Sequence, residues 1–337
     1  MKKKVFWLAA MAVTVSMASC SLEEVVEQPT PQAIGFSSFV GKPTKAVTQT
    51  NLTALQGSGF NVWGGYEDNQ TLFSGRKVSY KTDKWEYEGN LEYWVAKQQY
   101  YFAAVGPADA VTGANFDYTG GGHLSFTYSQ TDLAQSKDVV YAEGAKKTEA
   151  TITSDPQPVD FTFGHIMSWI KIKFVHKMTS GYKITVSDVT VTGVKTGATF
   201  AGTGTSTGTW STPLSSDAAF SNQTPVNNGL TTADAFCQVD FIAIPQTINA
   251  NDFVISFKLK VQDNATGSYL VGSDAGGVDF STTLTAEQKW NVNNIYVYTA
   301  DLTSNVLDLQ PINFSVQEVS GWGDTNTSTT PNPSQVP

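Results

Sequence analysis

Period-two alternation of apolar and polar residues constrains this chain more than any other feature. In Phe253-Val254-Ile255-Ser256-Phe257-Lys258-Leu259, the residues Phe253, Ile255, Phe257 and Leu259 fall on one side. Successive side chains of a strand point to opposite faces, so such a run is a strand with one face on a core. Ile184 to Val194 alternates in the same way. Ile170, Ile172 and Phe174 alternate with Lys171 and Lys173, which favours strand over helix there. Leu124 to Tyr128, Asn294 to Tyr298 and Ile312 to Val316 add further strands, and Phe60 to Trp63 another. Val78-Ser79-Tyr80 and Trp85-Glu86-Tyr87 are expected to pair around the turn at Lys81 to Lys84. Tyr100 to Val105 is apolar throughout, the mark of a strand covered on both faces, and Gly106-Pro107 stops it. Leu284 to Trp290 offers at most one helical turn. Residues 106–123 are Gly-rich and read as loop, and residues 195–231, dominated by Gly, Thr, Ser, Asn and Ala, read as a long loop or weak hairpins.

Composition agrees with strands. Charged residues make up 15% of 337, well under the usual quarter, and Thr, Ser, Asn, Gln and Gly fill the gap. Many short strands with frequent turn signals predict an all-β fold of two β-sandwich domains in tandem. The polar, Pro-bearing stretch Thr153 to Pro158 marks the expected boundary. The N-terminal sandwich then covers 46–157 and the C-terminal one 158–323, with a polar tail at 324–337.

The N-terminus reads as an export signal. Lys2-Lys3-Lys4 precedes an apolar run from Val5 to Val15 that is too short to span a bilayer. Met17-Ala18-Ser19-Cys20 resembles a bacterial lipobox, so residues 1–19 would be removed and Cys20 would carry lipid. The other reading is an ordinary signal peptide that happens to end near a cysteine. The acidic Glu23-Glu24 and Glu27 follow, resembling a surface-export signal of some anaerobes. Residues 20–45 are then a tether plus a removable first strand, in which Ile34, Phe36, Ser38 and Val40 share one face. The remaining thiol, Cys237, sits in an alternating run and is expected to be buried and inert.

Chemistry is hard to assemble from these residues. The histidines are His123, His165 and His176, and no Gly-x-Ser-x-Gly elbow surrounds a serine. His165, in Phe161-Thr162-Phe163-Gly164-His165-Ile166, reads as a core histidine. No His-x-x-His, Cys-x-x-Cys or EF-hand spacing predicts a metal site, and no motif predicts a cofactor. Gly57-Ser58-Gly59 and Gly202-Thr203-Gly204 lack the third glycine of a dinucleotide fingerprint. Without Lys2 to Lys4, 18 basic residues face 30 acidic ones, and Arg76 is the only arginine, which argues against nucleic acid as a partner. Glu86, Glu88 and Glu92 lie near Trp85 and Trp94. A half-exposed strand explains that pattern; a sugar-binding surface built on Trp85 and Trp94, or a carboxylate pair for glycoside cleavage, are the alternatives.

Several stretches, in order, resemble the fimbrillin family of type V pilins. They are the lipobox at Cys20; Thr44-Lys45-Ala46 followed by Phe60-Asn61-Val62-Trp63-Gly64-Gly65-Tyr66; Trp85-Glu86-Tyr87 with Tyr93-Trp94 and Tyr100 to Pro107; Phe163-Gly164-His165-Ile166-Met167-Ser168; and Trp290-Asn291-Val292-Asn293-Asn294-Ile295-Tyr296-Val297-Tyr298 with Gly321-Trp322-Gly323. The resemblance implies a non-enzymatic fimbrial subunit or adhesin, carried to the outer-membrane surface as a lipoprotein. It implies cleavage by a trypsin-like protease between Lys45 and Ala46, loss of the first strand, and a fimbrium built with other pilin subunits by strand exchange. Many family members carry Arg where this chain has Lys45. Ile312, Phe314 and Val316 are then candidate donor residues; the plainer reading makes them the last strand of their own domain. An uncleaved surface lipoprotein that binds glycan or a host ligand is the competing function.

Overall fold

The computed structural model describes residues 32–40, 52–66, 70–118, 121–143, 158–179, 181–204, 207–211, 217–222, 226 and 229–322. The first half opens with β1 (Phe36–Val40), the short helix α1 (Leu52–Ser58) and β2 (Phe60–Tyr66). There follow β3 (Gln70–Lys81), β4 (Lys84–Tyr87), β5 (Tyr100–Gly106), β6 (Asn115–Asp117), β7 (His123–Ser129), β8 (Val140–Glu143) and β9 (Val159–His165). The second half runs β10 (Ser168–His176), β11 (Tyr182–Lys195), β12 (Gly197–Ala201), β13 (Thr209–Trp210), β14 (Asp217–Asn222) and β15 (Phe236–Ala243). It ends with β16 (Thr247–Ile248), β17 (Val254–Asp263), β18 (Tyr269–Val271), β19 (Val278–Thr283), β20 (Gln288–Lys289), β21 (Asn294–Leu302) and β22 (Phe314–Ser320). The fold is all-β, as the alternation predicts.

The first sheet has the order β1-β9-β8-β5-β2-β3-β4. It curls until its edges approach: the Phe36 ring on β1 reaches Tyr87 on β4 at 5.8 Å. One continuous interior results, lined by Phe36, Phe60, Phe73, Phe102, Phe161 and Phe163 and plugged by Leu55 of α1. The hairpin between β3 and β4 turns through Thr82 and Asp83, both at positive φ, the geometry that matches the twist of two antiparallel strands. Its register, Val78 with Tyr87 and Lys81 with Lys84, is the one expected from the turn. β2 has Gly at 64 because a Cβ there would stand 2.2 Å from the Tyr101 carbonyl oxygen.

β5 is buried along its whole length. Tyr100, Phe102 and Ala104 face the curled interior, while Ala103 and Val105 face a second core. That second core is covered by the sheet β13-β12-β7-β6, in which β12 pairs antiparallel with β7. This sheet takes strands from both halves of the chain. The second half also forms a sandwich of β15-β10-β21-β22 over β14-β11-β17-β18, with β19 paired to β17. The β17 burial pattern alternates strictly, as one covered face requires. Cys237 is buried on β15, as expected.

Several expectations need correction. The expected boundary at 157/158 assigns Val159 to His165 to the second domain, but this strand lies in the first sheet between β1 and β8. β8 and β9, the strands before and after the Pro-bearing stretch, pair antiparallel, so a polar, Pro-bearing composition does not by itself mark a domain boundary. Within residues 195–231 the weak-hairpin alternative is the one found, with β12 paired to β13, and pairing with β7 and β11 offsets the weak pattern of β12 and β14. Residues 106–123 contain β6. Gln288 and Lys289 pair with β16 rather than completing a helical turn. α1 was not signalled by strong periodicity.

Candidate functional site

The first and last described strands both lie at sheet edges. β1 is one edge of the curled sheet, and it runs parallel to β9 from Phe36 opposite Val159 to Val40 opposite Phe163. Phe36 is 4% exposed and Ile34 1%. The Phe36 ring meets Phe73 at 5.0 Å and Phe102 and Phe161 at 5.7 Å, so one side chain on an edge strand touches most of the interior. Burial of two such side chains is worth about 1.5–3 kcal/mol each. Upstream of β1 the chain switches partner. Ile34 N–H donates to the Glu92 carbonyl at 2.8 Å, and Trp94 N–H donates to the Gln32 carbonyl at 3.0 Å. On the other side Val159 N–H donates to Gly35 O at 2.8 Å. Ser38 continues the inward face, and its Oγ is buried with no hydrogen-bond partner. Ser37, on the opposite face, donates its hydroxyl to Asp160. Cys20, Lys45 and Ala46 lie outside the described residues.

Trp85 and Trp94 are both half-buried. Trp85 packs on Phe60 at 4.8 Å and Tyr80 at 5.1 Å, and Trp94 stands edge-on to Tyr100 at 4.7 Å. Each ring contributes to the curled core instead of lying open as a platform. Glu92 instead joins Arg76 in an ion pair at 2.9 Å, with the Arg76 guanidinium 4.8 Å from the Phe73 ring centre.

β22 is the edge of the second-half sheet and pairs antiparallel with β21, Phe314 opposite Ala300 and Val316 opposite Tyr298. Ile312 precedes the strand and is 5% exposed. Phe314 is half-buried against Phe174 at 5.8 Å and Phe257 at 6.1 Å. Val316 projects to the same side as Tyr298 yet is 42% exposed. In this structure the last strand completes its own sheet, but its middle is covered on neither face.

Beyond β22, Trp322 leaves the sandwich and enters the second core, between the halves. Its indole stacks on His165 of β9 at 4.4 Å and leans on Trp169 of β10 at 5.5 Å. His165 Nδ1 lies 2.8 Å from Oδ2 of Asp138, a carboxyl with no solvent exposure. Trp169 Nε1 donates to Asp240 at 3.0 Å, and the Lys171 ammonium sits 3.9 Å over the Trp169 ring. Burial pushes the Asp240 carboxyl above its ordinary value, opposed by the Trp169 hydrogen bond and the Lys171 charge. Lys171, expected on a solvent face, is therefore buried in the junction. His165 is the satisfied core histidine its setting predicts, and Ser168 of the same motif donates to Asn291 O at 2.8 Å. The other histidines are also structural in their contacts: His123 Nδ1 faces Glu143 at 2.7 Å and His176 Nε2 faces Tyr182 O at 3.3 Å.

These features define an all-β protein whose first and last described strands both occupy sheet edges. The chain belongs to the fimbrillin-like family, whose model matches residues 44–322. Among solved structures, a fimbrial protein from Bacteroides vulgatus shares its fold at a TM-score of 0.54 and 16% identity, covering 86% of this chain and 99% of that one. A protein described as a "putative cell adhesion protein" from Bacteroides ovatus aligns at 0.49 and 14%, covering 86% and 97%. No curated protein matches the sequence.

Proposed function

We propose that this chain is a fimbrial structural subunit or adhesin, exported as a surface lipoprotein through Cys20 and assembled by strand exchange after cleavage between Lys45 and Ala46. Cleavage there would detach β1 together with Gln32 and Ile34. It would bare the apolar slot between β9 and residues 92–94, along with the Glu92 carbonyl and the Trp94 and Val159 amides. A strand from another subunit would satisfy both.

The observation that carries this reading is a repeat at the two edges. Gln32-Ala33-Ile34-Gly35-Phe36-Ser37 is matched by Gln310-Pro311-Ile312-Asn313-Phe314-Ser315. In that register Ile312 takes the place of Ile34, Phe314 that of Phe36, and Val316 that of Ser38. Ile312 N–H would meet Glu92 O, and the Gln310 and Asn313 carbonyls would meet Trp94 N–H and Val159 N–H. Neither bond to residues 92–94 uses the Ala33 N–H, so Pro311 is tolerated there. Exchange also removes the partnerless Ser38 hydroxyl from the core and buries Val316, exposed at home. An unsatisfied buried hydroxyl costs about 1–3 kcal/mol, so the donated strand is the better occupant.

The partners implied are further pilin subunits, a trypsin-like protease and the outer membrane by way of the lipid. Glycan binding by an uncleaved lipoprotein has less support, because Trp85 and Trp94 pack against the core. Mass spectrometry of the mature protein tests the reading. An N-terminus at Ala46 is expected, and lipidated Cys20 as the only mature end overturns it. Ile312→Asp with Phe314→Asp should also abolish multimers of the processed protein.

A further inference from the structure

We propose that the stack of Trp322 on His165 is a latch that keeps β22 in its own sheet until assembly. The inference concerns regulation of the donated strand and so rests, for its biological meaning, on the strand-exchange reading. It starts from the uneven burial of β22. Ser315, Val316, Gln317 and Glu318 are all exposed, so the middle of the strand is held mainly by its ladder with β21. The apolar anchors lie at the two ends. Ile312 and Phe314 hold the beginning on the sandwich. Val319 and Trp322 hold the end, and they do so on the second core, which also contains Trp63, Ala103 and Tyr141 of the curled sheet.

Trp322 thus anchors the end of β22 both to Trp169 of its own sheet and to His165 of the curled sheet. The ring planes of Trp322 and His165 are 14° apart, a stacked arrangement, and Trp322 is 5% exposed. Asp138 holds the Nδ1 edge of the imidazole and fixes its orientation. Gly321 N–H reaches the Asn294 side chain at 3.4 Å, so the turn into the latch is also tied to β21. An edge strand with an exposed middle opens by fraying from an end. The Ile312 end is the part that must enter a neighbour's slot, and it cannot travel while Trp322 is seated. Withdrawal of one indole from the junction would leave only the ladder with β21, the Glu318 hydrogen bonds and the Ile312 and Phe314 contacts to hold the strand.

Amide hydrogen exchange on the full-length, uncleaved protein tests the latch without requiring assembly. In Trp322→Leu, which keeps an apolar plug but cannot stack, exchange of β22 amides and their β21 partners should speed by about tenfold or more, while the β10–β15 ladder and the curled sheet keep their protection. Unchanged β22 exchange would overturn the proposal, because Trp322 would then be filling only. Equal loss of protection in every sheet would overturn it too, because Trp322 would then hold the whole fold. If Trp322→Leu does not fold, Trp322→Phe is judged by the same two outcomes. Multimer formation by the chain beginning at Ala46 separates this from the underlying reading. A loosened β22 with no multimers from wild type or variant leaves the latch and removes strand donation. Multimers from wild type with unchanged β22 exchange in the variant remove the latch alone.

Discussion

Tyr296 and Glu318 face each other across the β21–β22 ladder and share a hydrogen bond of 2.8 Å from the phenol to the carboxylate. Asn291 and Asn294 donate to the same carboxylate oxygen. Burial alone would raise the Glu318 carboxyl, but these three hydrogen bonds and the Lys289 charge outweigh it and hold it below its ordinary value. Burial, with Glu318 adding to it, pushes the Tyr296 phenol up, consistent with the same shared proton.

The sign of the resulting pH effect is fixed. A carboxyl depressed in the folded state contributes stability above its unfolded value, about 4.3, and loses it as the pH falls through the lower folded value. β22 protection should therefore be flat from neutral pH down to about 5 and fall in more acid solution. Glu318→Gln should flatten that acid limb, as measured by amide exchange against pH; an unaltered limb would assign it to other carboxylates.

Phe36→Ala should destabilise the uncleaved protein by about 3–5 kcal/mol, since the lost ring meets four others in a closed interior. Urea denaturation measures it. In the chain beginning at Ala46 position 36 is gone, and addition of a peptide spanning residues 309–320 should restore stability.

Ser38→Val should act in the opposite direction. The hydroxyl it replaces has no partner, so the uncleaved protein should gain about 1 kcal/mol in the same urea experiment. The gain makes β1 a closer match to the Ile312–Val316 face, so strand exchange measured by competition between the two peptides should favour β22 less. A loss of stability would show that the site cannot accept the extra methyl group.

Trp85→Ala is expected to lower stability by about 2 kcal/mol, because the ring packs on Phe60 and Tyr80 while part of it remains in solvent. Thermal melting checks this. A glycan array run on the same variant discriminates the competing function: binding lost with the melting temperature unchanged would revive a sugar platform.

Asp138→Ala should cost about 1–3 kcal/mol, since it leaves the His165 Nδ1 proton without its carboxylate in a site 13% exposed. A double-mutant cycle with Trp322→Leu, read by chemical denaturation, should show coupling between the two positions, because His165 touches both.

Much of this architecture was legible in residue order. The β17 alternation, the all-apolar β5 and the β3–β4 turn are local signals, and the structure places a strand or hairpin on each, with β3 beginning already at Gln70 and β17 running on to Asp263. Ile34 and Phe36 were marked inward by spacing alone, and both are buried. The repeat of Gln-x-Ile-x-Phe-Ser at 32–37 and 310–315 was also present in the sequence, but a match at four of six positions gains meaning only when both copies are seen at sheet edges.

Local pattern determined which stretches are strands and which side of each is apolar, because the two-residue period of an extended chain is set by backbone geometry. Beyond the β3–β4 hairpin it did not determine which strands pair. The return of Val159–His165 to the first sheet, the pairing of β12 with β7 across the midpoint, and the seating of Trp322 against His165 join residues far apart in sequence. Those choices follow from the burial of whole sheet faces, a property of the assembled layers that no single stretch of residues encodes.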